Sequence, residues 1–297
     1  MTACHCIFSY IERMKPWTDR SGRFSSLKLA TLIAVLAPGV WIAGQLASGR
    51  LGPLPIEGLM DGTGRWAIRF LLLSLLVTPM QRVGNWPRLI LVRRMIGIAA
   101  LGYAMVHLTA YVLNQSFDVL RVASEISLRA YLTIGFVAVA GLIILGATST
   151  DRMVRLLGQK WRTLHRMAYA IAMLGIAHFL LQAKIDATEP TLMAGFFMLL
   201  MAYRVVIARR MRLSPLTVLG TGLIASLGTA GLEFAWYALA TGVNPWAVLQ
   251  ANFALQAMLR PAALVFCASL VLTFISVARS LVISRHIFSA GRLFARA

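Results

Sequence analysis

The sequence predicts an all-α fold: a polytopic membrane helix bundle of about eight transmembrane helices. Three observations carry this. The 297 residues are 59% hydrophobic and only 13% charged, against about 45–50% and about 25% in soluble domains. The mean hydropathy is +0.76. Apolar runs of roughly the 20 residues needed to cross a bilayer recur along the chain.

The first span covers approximately 28–47. The second, 66–81, is short because Thr78-Pro79 is expected to close it, while Arg65 and Arg69 can snorkel and extend it outward. The third, 95–113, begins after "VRR", and the fourth covers 130–148. The fifth, 165–182, starts at His165. The sixth and seventh follow at 191–208 and 216–240, the latter with Glu233 inside an apolar run. An ionised carboxylate there is costly unless paired, so Glu233 is expected to be protonated or hydrogen-bonded, with a hydroxyl partner. A role in quinol deprotonation is the alternative. Residues 244–260 read as an interfacial helix with Trp246 at the headgroups. The last span is 261–279, where Cys267 is expected to be a small core residue.

Charge sets the orientation. With a cytoplasmic N-terminus and alternating spans, the inner segments hold 22 of the 29 Lys and Arg residues, and the remainder hold seven. The positive-inside rule then places both termini in the cytoplasm. The net charge of +19 thus reflects topology, and no nucleic-acid partner is expected. "MTACHCIFSY" offers Cys4, His5 and Cys6 but no fourth ligand for a zinc site. The absence of C-x-x-C-H excludes covalent c-type heme attachment. No internal repeat stands out.

Five histidines sort by depth. His5 and His286 fall in the tails; His107, His165 and His178 fall in spans three and five. A histidine in a lipid-spanning segment marks a functional site by default. His107 lies 13 residues beyond Arg94, and His178 lies 13 beyond His165. Both spans run outward, so His107 and His178 share a depth about 20 Å from the cytoplasmic entrance. Two neutral imidazoles at one depth suit the axial positions of a heme iron. Structural hydrogen bonding between helices, or a proton relay, remain open readings of the same pattern. An ideal helix would place His165 and His178 about 220° apart in azimuth, so a bend is required if both serve cofactors.

The blocks "RWAIRFLLLSLLVTPMQ", "RRMIGIAALGYAMVHLTAYV", "YLTIGFVAVAGLIILGATST" and "WRTLHRMAYAIAMLGIAHFLLQAK" resemble, in order, the heme-binding membrane subunits of the periplasmic protein-methionine-sulfoxide reductase system. These form the MsrQ/YedZ family, within the ferric-reductase-like transmembrane domains. The similarity covers about residues 28–210 and implies a six-helix heme-binding core. It places the family's heme histidines on His107, His165 and His178. It also implies b-type heme (one or two), FMN, and electrons taken from quinol at the bacterial inner membrane. The implied partner is a periplasmic molybdopterin-containing catalytic subunit that reduces oxidised methionines.

The resemblance divides the chain into a cytoplasmic tail (1–27), the heme-binding domain (28–210) and a two-helix membrane extension (211–297) to which it gives no role. Related oxidases carry two histidines on each heme helix. Here span three has only His107, and Arg94 stands level with His165, where it offers charge to a propionate or phosphate. Arg93 and Arg162 read equally as cofactor contacts or as positive-inside anchors. No catalytic residue is expected in the chain, because the cofactor does the one-electron chemistry and the terminal reduction falls to the partner.

Two other functions fit the composition. A transmembrane ferric or metal-chelate reductase would need a flavin donor, here a separate cytosolic protein. A cofactor-free transporter or anchor would show broken helices in two similar halves.

Overall fold

The computed structural model describes residues 17–18, 23–183, 186–212, 214–252, 254 and 260–294, with side chains through 278. Cys4, His5 and Cys6, and the side chain of His286, lie outside that set. Among the described residues, eight helices are long and apolar enough to cross a membrane. Their order follows the expected spans. The residues form two compact units.

The first unit contains α1 (Ser26–Ala47), most of α2 (Pro55–Val83), α3 (Ile90–Asn114) and α4 (Val119–Leu128). It also contains the later turns of α5 (Ala130–Ala147) and the short helices α6 (Asp151–Leu157) and α7 (Gln159–His165). Ser25 caps α1 by accepting from the Lys28 N–H, which satisfies one of the orphan donors of a helix start. Helix α1 packs on α3, where the Tyr103 hydroxyl donates to the Val35 carbonyl at 2.9 Å. Phe70 of α2 lies 5.2 Å from the Tyr103 ring. Gly146 lets α5 approach Leu101 of α3, since a Cβ there would overlap the leucine side chain. At Gly158, φ is +51°, a left-handed turn that separates α6 from α7.

The second unit contains the end of α2, the start of α5, and α8 (Met167–Gln182), α9 (Thr188–Ala208), α10 (Pro215–Ala240), α11 (Pro245–Ala251) and α12 (Pro261–Phe294). Its core is Leu199, Tyr203, Val218, Ala225, Val265 and Leu272, contributed by α9, α10 and α12. Small residues bring these helices together, as in other membrane bundles. Gly195 sits against Thr229 and Val265, and Gly222 against Ser269. The Ser269 hydroxyl donates to the Val218 carbonyl at 3.1 Å.

Three local expectations differ from the structure. Pro79 does not close the second span: α2 runs on to Val83 with Pro79 inside it. A helical proline removes the N–H that would bond the carbonyl four residues earlier. That carbonyl belongs to Leu75, and Arg204 Nη2 donates to it at 2.8 Å. Cys267 is exposed rather than buried. The packed stripe of α12 runs through Val265, Ser269 and Leu272, and two residues past Val265 a helix has turned about 200° away. Glu233 has no exposed surface, yet among the described residues it pairs with a guanidinium and an amide rather than with a hydroxyl. Arg260 Nη1 lies 3.2 Å from Oε1, and Asn252 Nδ2 donates to Oε2 at 2.8 Å.

Candidate functional site

His107 lies on α3 with its ring half-buried. Its Nδ1 is 2.7 Å from the Met60 carbonyl of α2. A carbonyl oxygen only accepts, so Nδ1 carries the proton, and in a neutral ring the lone pair then sits on Nε2. The approach is open because residue 64 is glycine. A Cβ at Gly64 would stand 2.8 Å from Nδ1 and 3.0 Å from Cε1.

His178 lies on α8 in the second unit and is held in the same way. Its Nδ1 is 2.8 Å from the Tyr131 carbonyl of α5. A Cβ at Gly135 would come within 2.7 Å of Nδ1 and 2.9 Å of Cε1. In both cases the accepting carbonyl precedes the histidine by 47 residues and the glycine follows the carbonyl by four.

His165 is held differently. Its Nε2 lies 3.2 Å from the Thr148 hydroxyl at the end of α5. That hydroxyl donates to the Ile144 carbonyl at 2.8 Å, so its oxygen accepts from Nε2–H and the lone pair of a neutral His165 ring falls on Nδ1. The Trp161 ring stacks on His165 at 3.9 Å between centroids, and its Nε1 donates to the Thr148 carbonyl at 2.9 Å. Arg93 and Arg94 lie within electrostatic reach of the ring. The Arg94 guanidinium is engaged with Asp151 at 2.7 Å, and Arg162 is exposed. The helix is interrupted at Arg166, between α7 and α8. Arg166 itself keeps αR backbone, and residues Gln159–Gln182 form one span that carries both His165 and His178.

This donor set suits a heme. Iron-ligating imidazoles present Nε2 while the other ring nitrogen donates to a carbonyl, which fixes the tautomer and raises ligand basicity. His107 and His178 both have that arrangement. Among the described residues, no group of three or more His, Cys, Asp or Glu side chains could hold a metal ion.

Sequence reasoning found the histidines but missed Met60, Gly64, Tyr131, Gly135, Thr148 and Trp161. One signal was available: a glycine 43 residues before each of His107 and His178. It is a repeat of spacing rather than of residues.

Residues 63–176 match the family model described as "Ferric reductase like transmembrane component". The protein-methionine-sulfoxide reductase heme-binding subunit MsrQ of Rhodospirillum rubrum is 41% identical over 198 residues, covering 66% of this chain and 93% of the relative. The chain belongs to the MsrQ family. A second MsrQ, from Azospira oryzae, is 37% identical over 195 residues, covering 65% of this chain and 83% of its own length. About a third of the present chain therefore lies outside each match. No solved structure matches it significantly.

Proposed function

We propose that this chain is a membrane electron-transfer subunit that binds b-type heme, one or two, and that His107 and His178 are residues that would hold it. The observation that supports the reading is the shared anchoring of those two rings: each donates Nδ1–H to a helix carbonyl, which puts the lone pair of a neutral ring on Nε2, the nitrogen a metal would take. When bound, heme supplies reversible one-electron transfer between ferric and ferrous iron. The chain contributes ligands, orientation and an apolar surround. Donation from Nδ1 to a carbonyl makes the imidazole a stronger electron donor, which favours the ferric state. No side chain need act as acid, base or nucleophile toward the final substrate.

The MsrQ relatives are named as heme-binding subunits of a protein-methionine-sulfoxide reductase. By extension, the acceptor here is a periplasmic molybdopterin-containing reductase and the donor is quinol, across the bacterial inner membrane with both termini cytoplasmic. His165 marks a second site on the cytoplasmic side. Its stacked Trp161 and the Arg93–Arg94 charge suit either a heme propionate or the phosphate of FMN, with Arg94 as the contributing base.

The purified protein's visible spectrum is the test. A Soret band with low-spin features is expected, and its absence would end every electron-transfer reading. Replacing His107 or His178 by alanine should remove the same low-spin component. His165→Ala should spare that component and slow reduction from the cytoplasmic side. If His107→Ala instead behaves like His165→Ala and leaves the His178 signal intact, the ligand assignment is wrong.

A further inference from the structure

We infer that Gly64 and Gly135 are positioning residues for the heme-ligand histidines: each keeps open the path by which an imidazole Nδ1 reaches the helix carbonyl four residues earlier. This inference rests on the heme reading above.

The argument starts from helix geometry. Every Cα–Cβ bond tilts toward the N-terminus, so the side chain of residue i+4 lies over the turn that exposes the carbonyl of residue i. That carbonyl already accepts the N–H of residue i+4 but has a second lone pair. A donor that comes in over that turn meets the Cβ of residue i+4, whereas one that comes in from the side does not: the Ser226 hydroxyl reaches the Ala262 carbonyl at 2.8 Å with Phe266 at i+4. The over-the-turn arrangement, with glycine at i+4, occurs four times among the described residues, one of them the Val218 carbonyl with Gly222 and the Ser269 hydroxyl. The Met60 carbonyl, Gly64 and His107 form one case, and the Tyr131 carbonyl, Gly135 and His178 another. The last is the Val35 carbonyl with Gly39 and the Tyr103 hydroxyl, where a Cβ would lie 2.9 Å from Oη.

The atoms that a new Cβ would meet belong to the imidazole ring, not to backbone. An alanine would therefore displace the ring, by roughly half an ångström or more to regain ordinary contact. The helix itself should survive, because alanine is a better helix former than glycine by about 1 kcal/mol. The predicted lesion is a misaimed ligand in a folded protein. Glycines with open space around them, Gly97 on α3 and Gly231 on α10, provide controls for the helix effect alone.

The full chain carrying Gly64→Ala, Gly135→Ala, Gly97→Ala or Gly231→Ala would be purified in detergent. Heme retention, the low-spin spectrum and the reduction potential would be measured. Histidine-selective nitrogen NMR on protein from heme-starved cells would report which ring nitrogen carries the proton. Gly64→Ala and Gly135→Ala should each retain heme about 10-fold to 100-fold more weakly, with an altered low-spin signal. In the heme-free protein, each should lose the Nδ1–H tautomer of one histidine. The controls should match the parent protein. Parent-like spectra, potentials and tautomers in both cradle variants would overturn the inference. If His107→Ala and His178→Ala bind heme normally, the heme reading fails instead. The tautomer measurement then decides the positioning role by itself, with a retained Nδ1–H counting against it.

Discussion

Glu233 is an acid with no exposed surface on a membrane-grade helix, so its partners decide its cost. Arg260 Nη1 lies 3.2 Å from one carboxylate oxygen and Asn252 donates to the other. Removing one member of a buried pair leaves a charge without compensation, at about 3–5 kcal/mol, whereas neutralising both members costs far less. Arg260→Ala should therefore lower the thermal midpoint in detergent sharply. Glu233→Gln leaves the cation instead, and Arg260, 33% exposed, can reach water, so the loss should be smaller; adding Arg260→Ala to Glu233→Gln should cost little more. Equal losses from Arg260→Ala in the two backgrounds would show that the pair is not coupled. The same Glu233→Gln protein tests a functional role: unchanged quinol-dependent heme reduction would restrict Glu233 to structure. The charge was visible in the sequence because a lone acid in an apolar run stands out. Its partners were not, since Arg260 and Asn252 lie 27 and 19 residues further on and no local pattern links them. The candidate site was legible to the same degree. Three intramembrane histidines announce themselves by polarity, but two of their anchors are backbone carbonyls, and a carbonyl looks the same in every residue. Only the glycine that uncovers it leaves a trace.

At the scale of the element, α2 shows how a helix passes through a proline. Local rules count the donor lost at Pro79 and end the helix there. They cannot count a replacement donor 129 residues away, Arg204 on the Leu75 carbonyl. The guanidinium is held in turn by α8: Nη1 donates to the Tyr169 hydroxyl at 2.7 Å, with the charge 4.6 Å from the ring centroid. In a bilayer no water can take over such a carbonyl, so helix-interior proline depends on a neighbour of this kind. Arg204→Met should cost about 1–3 kcal/mol, the penalty of a buried unsatisfied acceptor. In a Pro79→Ala background the Leu75 carbonyl regains its helical N–H, and the same Arg204→Met change should then cost clearly less. Chemical denaturation of the four proteins in mixed micelles gives the coupling. An additive cycle would mean that Arg204 does not serve the proline.

At the scale of the whole molecule, the eight spans were legible because lipid demands apolar length and nothing else in the chain supplies it. The packing of the C-terminal extension was less so, since small residues facing one another carry no hydropathy signal. Tyr203 and Thr229 have no exposed surface, and α9 packs on both α10 and α12. A chain ending after residue 210 should therefore be less heat-stable than the full protein, with new exposed apolar surface on α9. Orientation follows from charge rather than packing. The segments assigned to the cytoplasm hold 22 basic residues against seven elsewhere. One of the 22, Arg204, lies within α9 and is engaged there, which barely changes the asymmetry. Central Lys and Arg each cost about 2.5–3.5 kcal/mol to insert, so the basic segments should remain on the side of synthesis. With an even number of spans, the two termini share that side. Alkaline phosphatase fused after residue 297 should then be inactive, while fusion in the loop after α3, near Asp118, should be active because the enzyme folds only once exported. Activity at the C-terminal junction would overturn the topology. Combined with silence at the Asp118 junction, it would invert the molecule.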